Sequence, residues 1–137
     1  MKRFCTAINC MDGRVQIPVI QYLKDHFGAD YVDVISEPGP NRILADGSDT
    51  AAVESIERRV RISEEHHQSV GIAVVGHHDC AGNPSPEVEQ RHHALAAARR
   101  IRSRFRHLPV IALWVNESWE VSEVQDDSAN NVYEATS

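Results

Sequence analysis

The chain has 137 residues, 42% of them hydrophobic and 25% charged, and a formal net charge of −6 at pH 7. This length suits one globular domain with a proper core and is too short for two of ordinary size. The negative charge argues against a nucleic-acid partner, and no apolar run approaches the roughly 20 residues of a membrane span, so we expect neither nucleic acid nor membrane as a partner.

The first half of the chain predicts two strands and two helices. Residues 4–9 form an apolar run that predicts a buried strand, and residues 15–27 carry apolar side chains at a period near 3.6, which favours a helix. Residues 31–35 predict a second strand. Two prolines flank a glycine in residues 37–41, which predicts a loop. Residues 48–66 then predict a second helix, with a serine and an aspartate as candidate N-caps.

The second half continues this alternation of strands and helices. Residues 69–75 predict a third strand, and residues 87–106 predict a third helix that follows two prolines. Residues 109–115 predict a fourth strand, and residues 119–124 an edge strand that returns as a hairpin. Alternating strands and helices favour an α/β fold, with a doubly wound, mainly parallel sheet of about four to five strands and helices on both faces.

One domain accounts for nearly all of the sequence. We assign residues 1–125 to a single α/β domain, and residues 126–137, which are polar, to a frayed C-terminal tail. The polar start of the chain leads into the first predicted strand rather than into the apolar region of a signal peptide.

Cysteine and histidine stand at the ends of two predicted strands. Cys10 follows the first strand, and His77 and Cys80 follow the third, three positions apart. In parallel sheets, ligands bind beyond the carboxyl ends of the strands, and thiolate and imidazole are ligands that zinc prefers. If the first and third strands are neighbours, these three side chains meet at one edge of the sheet and form one zinc site.

The remaining cysteine, Cys5, lies too far from Cys10 to bind the same ion, because five residues of extended strand span about 16 Å. We interpret it as a small buried hydrophobic residue. Three cysteines, an odd number, do not suggest a disulfide framework. Reduced thiolates in the cytoplasm are the better interpretation.

Two motifs together resemble the zinc signature of the β-class carbonic anhydrases: C-x-D-x-R at Cys10, Asp12 and Arg14, and H-x-x-C at His77 and Cys80. The resemblance covers roughly residues 4–121 and is close at these two motifs. It implies a short, minimal member of that family, with Zn²⁺ as its cofactor. It also implies the activity, in which zinc-bound hydroxide reversibly hydrates carbon dioxide to bicarbonate and a proton.

Three protein ligands leave the fourth position of zinc open, which is the arrangement of catalytic sites. Asp12 is then predicted to accept a hydrogen bond from the bound nucleophile, and Arg14 to hold Asp12 through a bidentate ion pair. Backbone N–H groups around Ala81 and Gly82, if they begin a turn or a helix, are candidates for binding the product anion. The resemblance also implies that Asp12 can swing in as a fourth zinc ligand, as it does in part of the family.

Residues 37–41 depart from the family, whose members usually carry a short Arg-Asn-Ala-Gly-Asn-like segment here. The charged residue in this chain is an acid, Glu37, which could compete for Arg14. Two alternatives to CO2 hydration therefore stay open. One is a related zinc hydrolase of another small heterocumulene, carbonyl sulfide or carbon disulfide. The other is a non-catalytic zinc protein in which Asp12 closes the site.

An apolar group near the predicted sheet edge, formed by Trp114, Trp119 and Val121, needs to be covered. This favours a homodimer or a multiple of dimers. The family resemblance implies the same assembly, since these enzymes pair through sheet edges and helices and build the CO2 pocket partly from the neighbouring subunit.

Overall fold

Five strands form one sheet in the computed structural model of the chain, which describes residues 1–126. They are β1 (Phe4–Cys10), β2 (Tyr31–Glu37), β3 (Ile72–His77), β4 (Val110–Val115) and β5 (Val121–Val124). Their order across the sheet is β2-β1-β3-β4-β5. The first four are parallel, while β5 returns antiparallel to β4. The mainly parallel sheet and its edge hairpin are confirmed.

Helices cover both faces of the sheet, which confirms the predicted α/β class. They are α1 (Gln16–Phe27), α2 (Pro40–Asp46), α3 (Thr50–His67) and α4 (Glu87–Arg104), and a short 3-10 turn (Gly13–Val15) precedes α1. On one face α1 packs through Val19 and Leu23 against apolar strand residues. On the other face α2, α3 and α4 pack together against a second apolar cluster that includes Ile8 and Val74.

The connection after β2 differs from the loop predicted at residues 37–41. Glu37 is the last residue of β2 and Pro40 begins α2, so only Pro38 and Gly39 connect the two elements. Proline suits the first turn of a helix, because its missing N–H would have no helical partner there. Gly39 adopts a left-handed conformation (φ 61°), which residues with a side chain rarely take. The second proline therefore marks a helix start, and α2 is a helix that the sequence analysis missed.

The third strand begins at Ile72 rather than at residue 69 and ends at His77. The shift arises because α3 continues to His67 and is terminated by Gln68 in a left-handed conformation (φ 52°). The consequence for the site is that His77 is the last residue of the strand rather than part of the turn that follows.

The topology brings the ends of β1 and β3 together, as the zinc hypothesis requires. The two strands pair in parallel, with Thr6 opposite Ile72 and Ile8 opposite Val74. The predicted polar tail lies outside the described residues except for Asp126. None of the helices in the described part of the chain has the length and hydrophobicity of a membrane span.

Candidate metal centre

Three buried side chains converge at the carboxyl ends of β1 and β3. Cys10 ends β1, His77 ends β3, and Cys80 lies in the turn that follows. That turn reverses the chain at Asp79, which adopts a left-handed conformation (φ 57°). The two sulfur atoms and one imidazole nitrogen all lie within 4.8 Å of one another. Cys5 is also buried, but among the described residues it lies outside this group, as the sequence predicts.

The spacing of these donor atoms fits a tetrahedral metal ion. The Sγ atoms of Cys10 and Cys80 are 3.8 Å apart. Two thiolates bound to one zinc at about 2.3 Å, with a tetrahedral angle between them, lie about 3.8 Å apart. A disulfide requires about 2.05 Å. The sulfur pair is therefore placed to share one ion and not to form a bond.

The imidazole of His77 is oriented for the same ion. Its Nδ1 is 2.7 Å from the carbonyl oxygen of His78, to which Nδ1–H donates. Its Nε2 is buried and has no hydrogen-bond partner among the described residues. Histidine ligands usually donate one ring N–H to a carbonyl or carboxylate while the other nitrogen binds the metal. The orphaned Nε2 is thus the expected ligand atom.

The two thiols have very different proton affinities. The pKa of Cys10 is lowered by its contact with the Cys80 side chain, by His77, and by the backbone N–H groups of Gly39 and Asp12. The pKa of Cys80 is raised, because it faces Cys10 and is buried. The two thiols are therefore coupled: a negative charge on one opposes deprotonation of the other, and a bound divalent cation would offset that charge.

Asp12 and Arg14 form a bidentate ion pair beside these candidate ligands. Arg14 Nη2 lies 2.7 Å from Asp12 Oδ2, and Arg14 Nε lies 3.0 Å from Oδ1. The Arg14 backbone N–H also donates to Oδ1 at 2.9 Å. Hydrogen bonds and charge from Arg14 lower the pKa of Asp12 to about 2. Asp12 is thus an ionised carboxylate held next to the donor group.

Glu37 does not compete for Arg14, contrary to the expectation from the sequence. Its carboxylate pairs with Arg59 of α3. Glu37 ends the edge strand β2 and lies next to α3. The sequence did not indicate that α3 packs beside this end of β2.

Ala81 and Gly82 lie in an irregular segment after Cys80, and α4 begins only at Glu87. The backbone N–H groups of Gly82 and Asn83 lower the pKa of Cys80, since they hydrogen-bond to its sulfur. The segment packs on the Pro38–Gly39 connection so closely that a Cβ on Gly82 would lie 2.4 Å from the carbonyl carbon of Pro38. These N–H groups therefore hydrogen-bond to Cys80, a candidate metal ligand. The binding of a product anion by this segment stays a prediction.

The family described as "Putative carbonic anhydrase" matches residues 1–125 of this sequence. The chain belongs to this carbonic anhydrase family. No curated protein sequence matches it. The family assignment agrees with the convergence of the two cysteines and the histidine at one edge of the sheet.

Solved structures of carbonic anhydrases share the fold. β-Carbonic anhydrase isoform I from Trichomonas vaginalis superposes with a TM-score of 0.57 at 14% identity, over 89% of this chain and 82% of that chain. Tetrameric β-carbonic anhydrases from the ascomycete Sordaria macrospora give a TM-score of 0.53 at 16% identity, over 91% and 81% of the two chains. At such low identity the likeness concerns the fold.

Three buried amide side chains support the ligand segment of this carbonic anhydrase family member: Asn41 of α2, Asn83 and Gln90 of α4. Gln90 Nε2 donates to the carbonyl oxygens of His77 and Asn83, both at 2.8 Å. Asn41 Nδ2 donates to Gln90 Oε1 at 3.1 Å, and Asn83 Nδ2 to Asn41 Oδ1 at 3.3 Å. The group ties the end of β3 to two helices. The sequence analysis missed it, although a glutamine one turn before Ala94 on the apolar stripe of α4 was a signal.

Gln90→Leu is expected to lower the free energy of unfolding by about 2–4 kcal/mol, because the buried carbonyls of His77 and Asn83 lose their side-chain donor. Among the described residues, the Asn41 amide then keeps only the backbone carbonyl of residue 90 as its acceptor. Urea unfolding of the zinc-loaded proteins measures this change. Gln21→Leu, at an exposed position of α1, is the matched control and is expected to change stability by less than about 0.5 kcal/mol. Equal stabilities of the two variants would contradict a structural role for the amide group.

Proposed function

We propose that this chain is a zinc enzyme that interconverts carbon dioxide and bicarbonate, with Cys10, His77 and Cys80 as its metal ligands. The observation that carries the proposal is the donor geometry. Two sulfur atoms lie at the spacing of a tetrahedral zinc site, and a buried imidazole nitrogen faces no other partner among the described residues. Membership of the carbonic anhydrase family supports the reaction.

Zinc with three protein ligands supplies an open position and a bound water of near-neutral pKa, which is the nucleophile that CO2 hydration needs. The side chains of Asp12 and Arg14 would orient this nucleophile. Asp12 is outside the group of metal donors that the described residues form, and its carboxylate remains paired with Arg14. An ionised carboxylate accepts hydrogen bonds only, so Asp12 can fix the direction of the nucleophile. Arg14 holds that carboxylate in place through two parallel contacts.

Stopped-flow measurement of CO2 hydration by the zinc-loaded protein tests the proposal. We expect zinc-dependent hydration that is lost on removal of the metal and restored by adding it back. Hydrolysis of carbonyl sulfide or carbon disulfide is measured in parallel, and activity on these compounds without CO2 hydration would assign the other zinc hydrolase. A zinc-loaded protein inactive on all three would favour the non-catalytic alternative, in which Asp12 closes the site.

The thiol chemistry favours a reducing compartment. All three cysteines are free and buried. Disulfides are rare in the cytoplasm, where thiols stay reduced and available to metals. We therefore assign the protein to the cytoplasm.

We also infer that the protein forms a homodimer or a multiple of dimers. Trp114 is buried within the chain, and Trp119 and Val121 are half-buried against the α1 side of the core. Trp114 is therefore already covered within the chain, while Trp119 and Val121 keep part of their apolar surface exposed. A separate argument for self-association of this chain is that the structurally similar Sordaria enzymes are tetrameric.

The edge strand β2 exposes apolar side chains. Among the described residues it pairs with β1 on one side only. Tyr31 and Val34 of β2 and Ile62 of α3 are exposed there. An unpaired strand with apolar neighbours is a template for pairing with another chain. We propose that a second copy of this chain covers it.

Val34→Lys is expected to convert the dimer to monomers at micromolar concentration, because a charge on an edge strand opposes pairing with another strand. Light scattering after size-exclusion chromatography measures the mass. Val88→Lys, an exposed valine of α4, is the matched control and should remain dimeric. A wild type that is monomeric, or a Val34→Lys variant that stays dimeric, contradicts this assignment of the interface.

A further inference from the structure

We propose that Trp119 is a positioning residue, which keeps the Arg14 guanidinium on Asp12 and thereby keeps Asp12 away from the metal. The inference rests on the proposed function, since it concerns the same metal centre. Trp119 lies in the hairpin between β4 and β5, and its ring centre is 4.4 Å from Cζ of Arg14. A guanidinium at this distance from an indole ring makes a cation–π contact.

Among the described residues, three partners hold Arg14: Asp12, Asp79 and Trp119. Asp12 occupies one edge of the guanidinium, with its oxygens 2.7 and 3.0 Å from Nη2 and Nε. Asp79, in the turn between the ligands His77 and Cys80, lies close to the terminal nitrogens: Arg14 Nη2 donates to its carbonyl oxygen at 3.1 Å, and Nη1 is 3.3 Å from its Oδ2. The Trp119 ring covers one face of the planar guanidinium. Each partner restricts a different movement of the guanidinium.

The hairpin holds Trp119 rigidly. The side-chain oxygen of Asn116 accepts hydrogen bonds from the backbone N–H groups of Ser118 (2.9 Å) and Glu120 (3.0 Å). The backbone N–H of Trp119 donates to the Asn116 carbonyl at 2.9 Å. Trp119 itself adopts a left-handed conformation (φ 61°), which is strained for a bulky residue and costs less for glycine. A large ring at this position points to a role for the side chain rather than for the turn.

Loss of the ring would act on the metal through Arg14 and Asp12. Asp12 follows the ligand Cys10 by two residues, and carboxylate oxygen is itself a zinc ligand. In the described residues its oxygens are engaged by Arg14 and not grouped with the metal donors. A guanidinium that moves off this carboxylate leaves a free anion next to a divalent cation. Asp12 would then compete for the open position.

Azide binding to the cobalt(II)-loaded protein measures whether that position is open. Zinc has a filled d shell and no visible spectrum of its own, whereas cobalt(II) reports its ligands by absorption. Trp119→Ala is expected to raise the azide dissociation constant roughly 3- to 10-fold, because Asp12 then competes with azide. Trp119→Phe keeps a ring in the same backbone conformation, so its constant should stay within about twofold of the wild-type value.

Two further variants make the comparison decisive. Trp119→Leu keeps an apolar side chain without a ring and should match Trp119→Ala, and Arg14→Ala should give an increase at least as large as either. Equal constants for the wild type, Trp119→Ala and Trp119→Leu would overturn the inference. So would equal increases in Trp119→Phe and Trp119→Ala, which would show an effect of the hairpin and not of the ring.

The same samples separate this inference from the proposed function. CO2 hydration by the zinc-loaded wild type is measured independently. A wild type that binds cobalt and azide but does not hydrate CO2 contradicts the proposed function, while the azide constants of the variants still decide the role of Trp119. A protein that binds no metal overturns both.

Discussion

Cys10→Ser is expected to reduce bound zinc from one ion per chain to less than about a tenth of that, and to lower CO2 hydration at least about 100-fold. In the proposed site Cys10 is one of two sulfur ligands, and the Cys10 and Cys80 sulfurs are 3.8 Å apart, as a shared ion requires. A serine hydroxyl stays protonated at neutral pH and is a poor ligand for zinc. Elemental analysis after dialysis and stopped-flow hydration assays measure the two losses.

Cys5→Ser is the matched control, since it makes the same atomic change on the same strand. Burial, together with the charge of Asp33, raises the pKa of Cys5 to about 11. It is therefore a neutral thiol at physiological pH and not a metal-binding thiolate. We expect full zinc content with a stability loss of about 1–3 kcal/mol from burying a hydroxyl group. Zinc retained in Cys10→Ser, or lost in Cys5→Ser, would contradict the ligand assignment.

The convergence of Cys10, His77 and Cys80 could be predicted because these residues stand at or just after the ends of two strands. A parallel sheet brings the carboxyl ends of neighbouring strands to one edge, so only the adjacency of β1 and β3 was needed to unite Cys10 with His77 and Cys80. The Asp12–Arg14 pair could also be predicted, because only Gly13 separates the two residues along the chain. Local spacing and a topological rule were enough for the centre itself.

The surroundings of the centre depend on packing that local spacing does not reveal. Gln90 reaches His77 from a helix, and Trp119 reaches Arg14 from a hairpin more than a hundred residues away in sequence. Proline was an ambiguous signal: Pro40 suits a loop and a helix start equally well, so α2 and the partners of Asn41 were missed. The burial of Trp114 was missed because it depends on how α4 packs on β4.

Arg14→Ala is expected to lower the turnover of CO2 about 10- to 100-fold while zinc content stays near that of the wild type, because charge-assisted hydrogen bonds to the orienting carboxylate are lost. Arg14 lies outside the donor group, so metal binding does not need it. Asp12→Ala should also retain zinc and lose turnover, since the nucleophile then lacks its hydrogen-bond acceptor. Elemental analysis accompanies each rate measurement.

Arg99→Ala is the matched control for removing an arginine from a bidentate pair. Arg99 of α4 contacts Asp126 through Nη2 at 2.7 Å and Nε at 3.1 Å, and its side chain is 49% exposed, compared with 45% for Arg14. The two substitutions thus remove similar surface ion pairs, one beside the metal centre and one remote from it. Turnover in Arg99→Ala should remain within about twofold of the wild-type rate.

The pH dependence shows which process causes the loss in Arg14→Ala. Arg14 lowers the pKa of Asp12 from 3.8 to about 2, so the pair contributes its full stabilisation above pH 3.8 and loses it only as the pH falls through 2. Without Arg14 that pKa returns toward 3.8, and Asp12 stays ionised from pH 6 to 9. A carboxylate that competes with hydroxide for the metal wins more often where hydroxide is scarce. We therefore expect the deficit to be largest near pH 6 and smallest near pH 9; a deficit independent of pH would show lost orientation alone, and unchanged rates would make the pair merely structural.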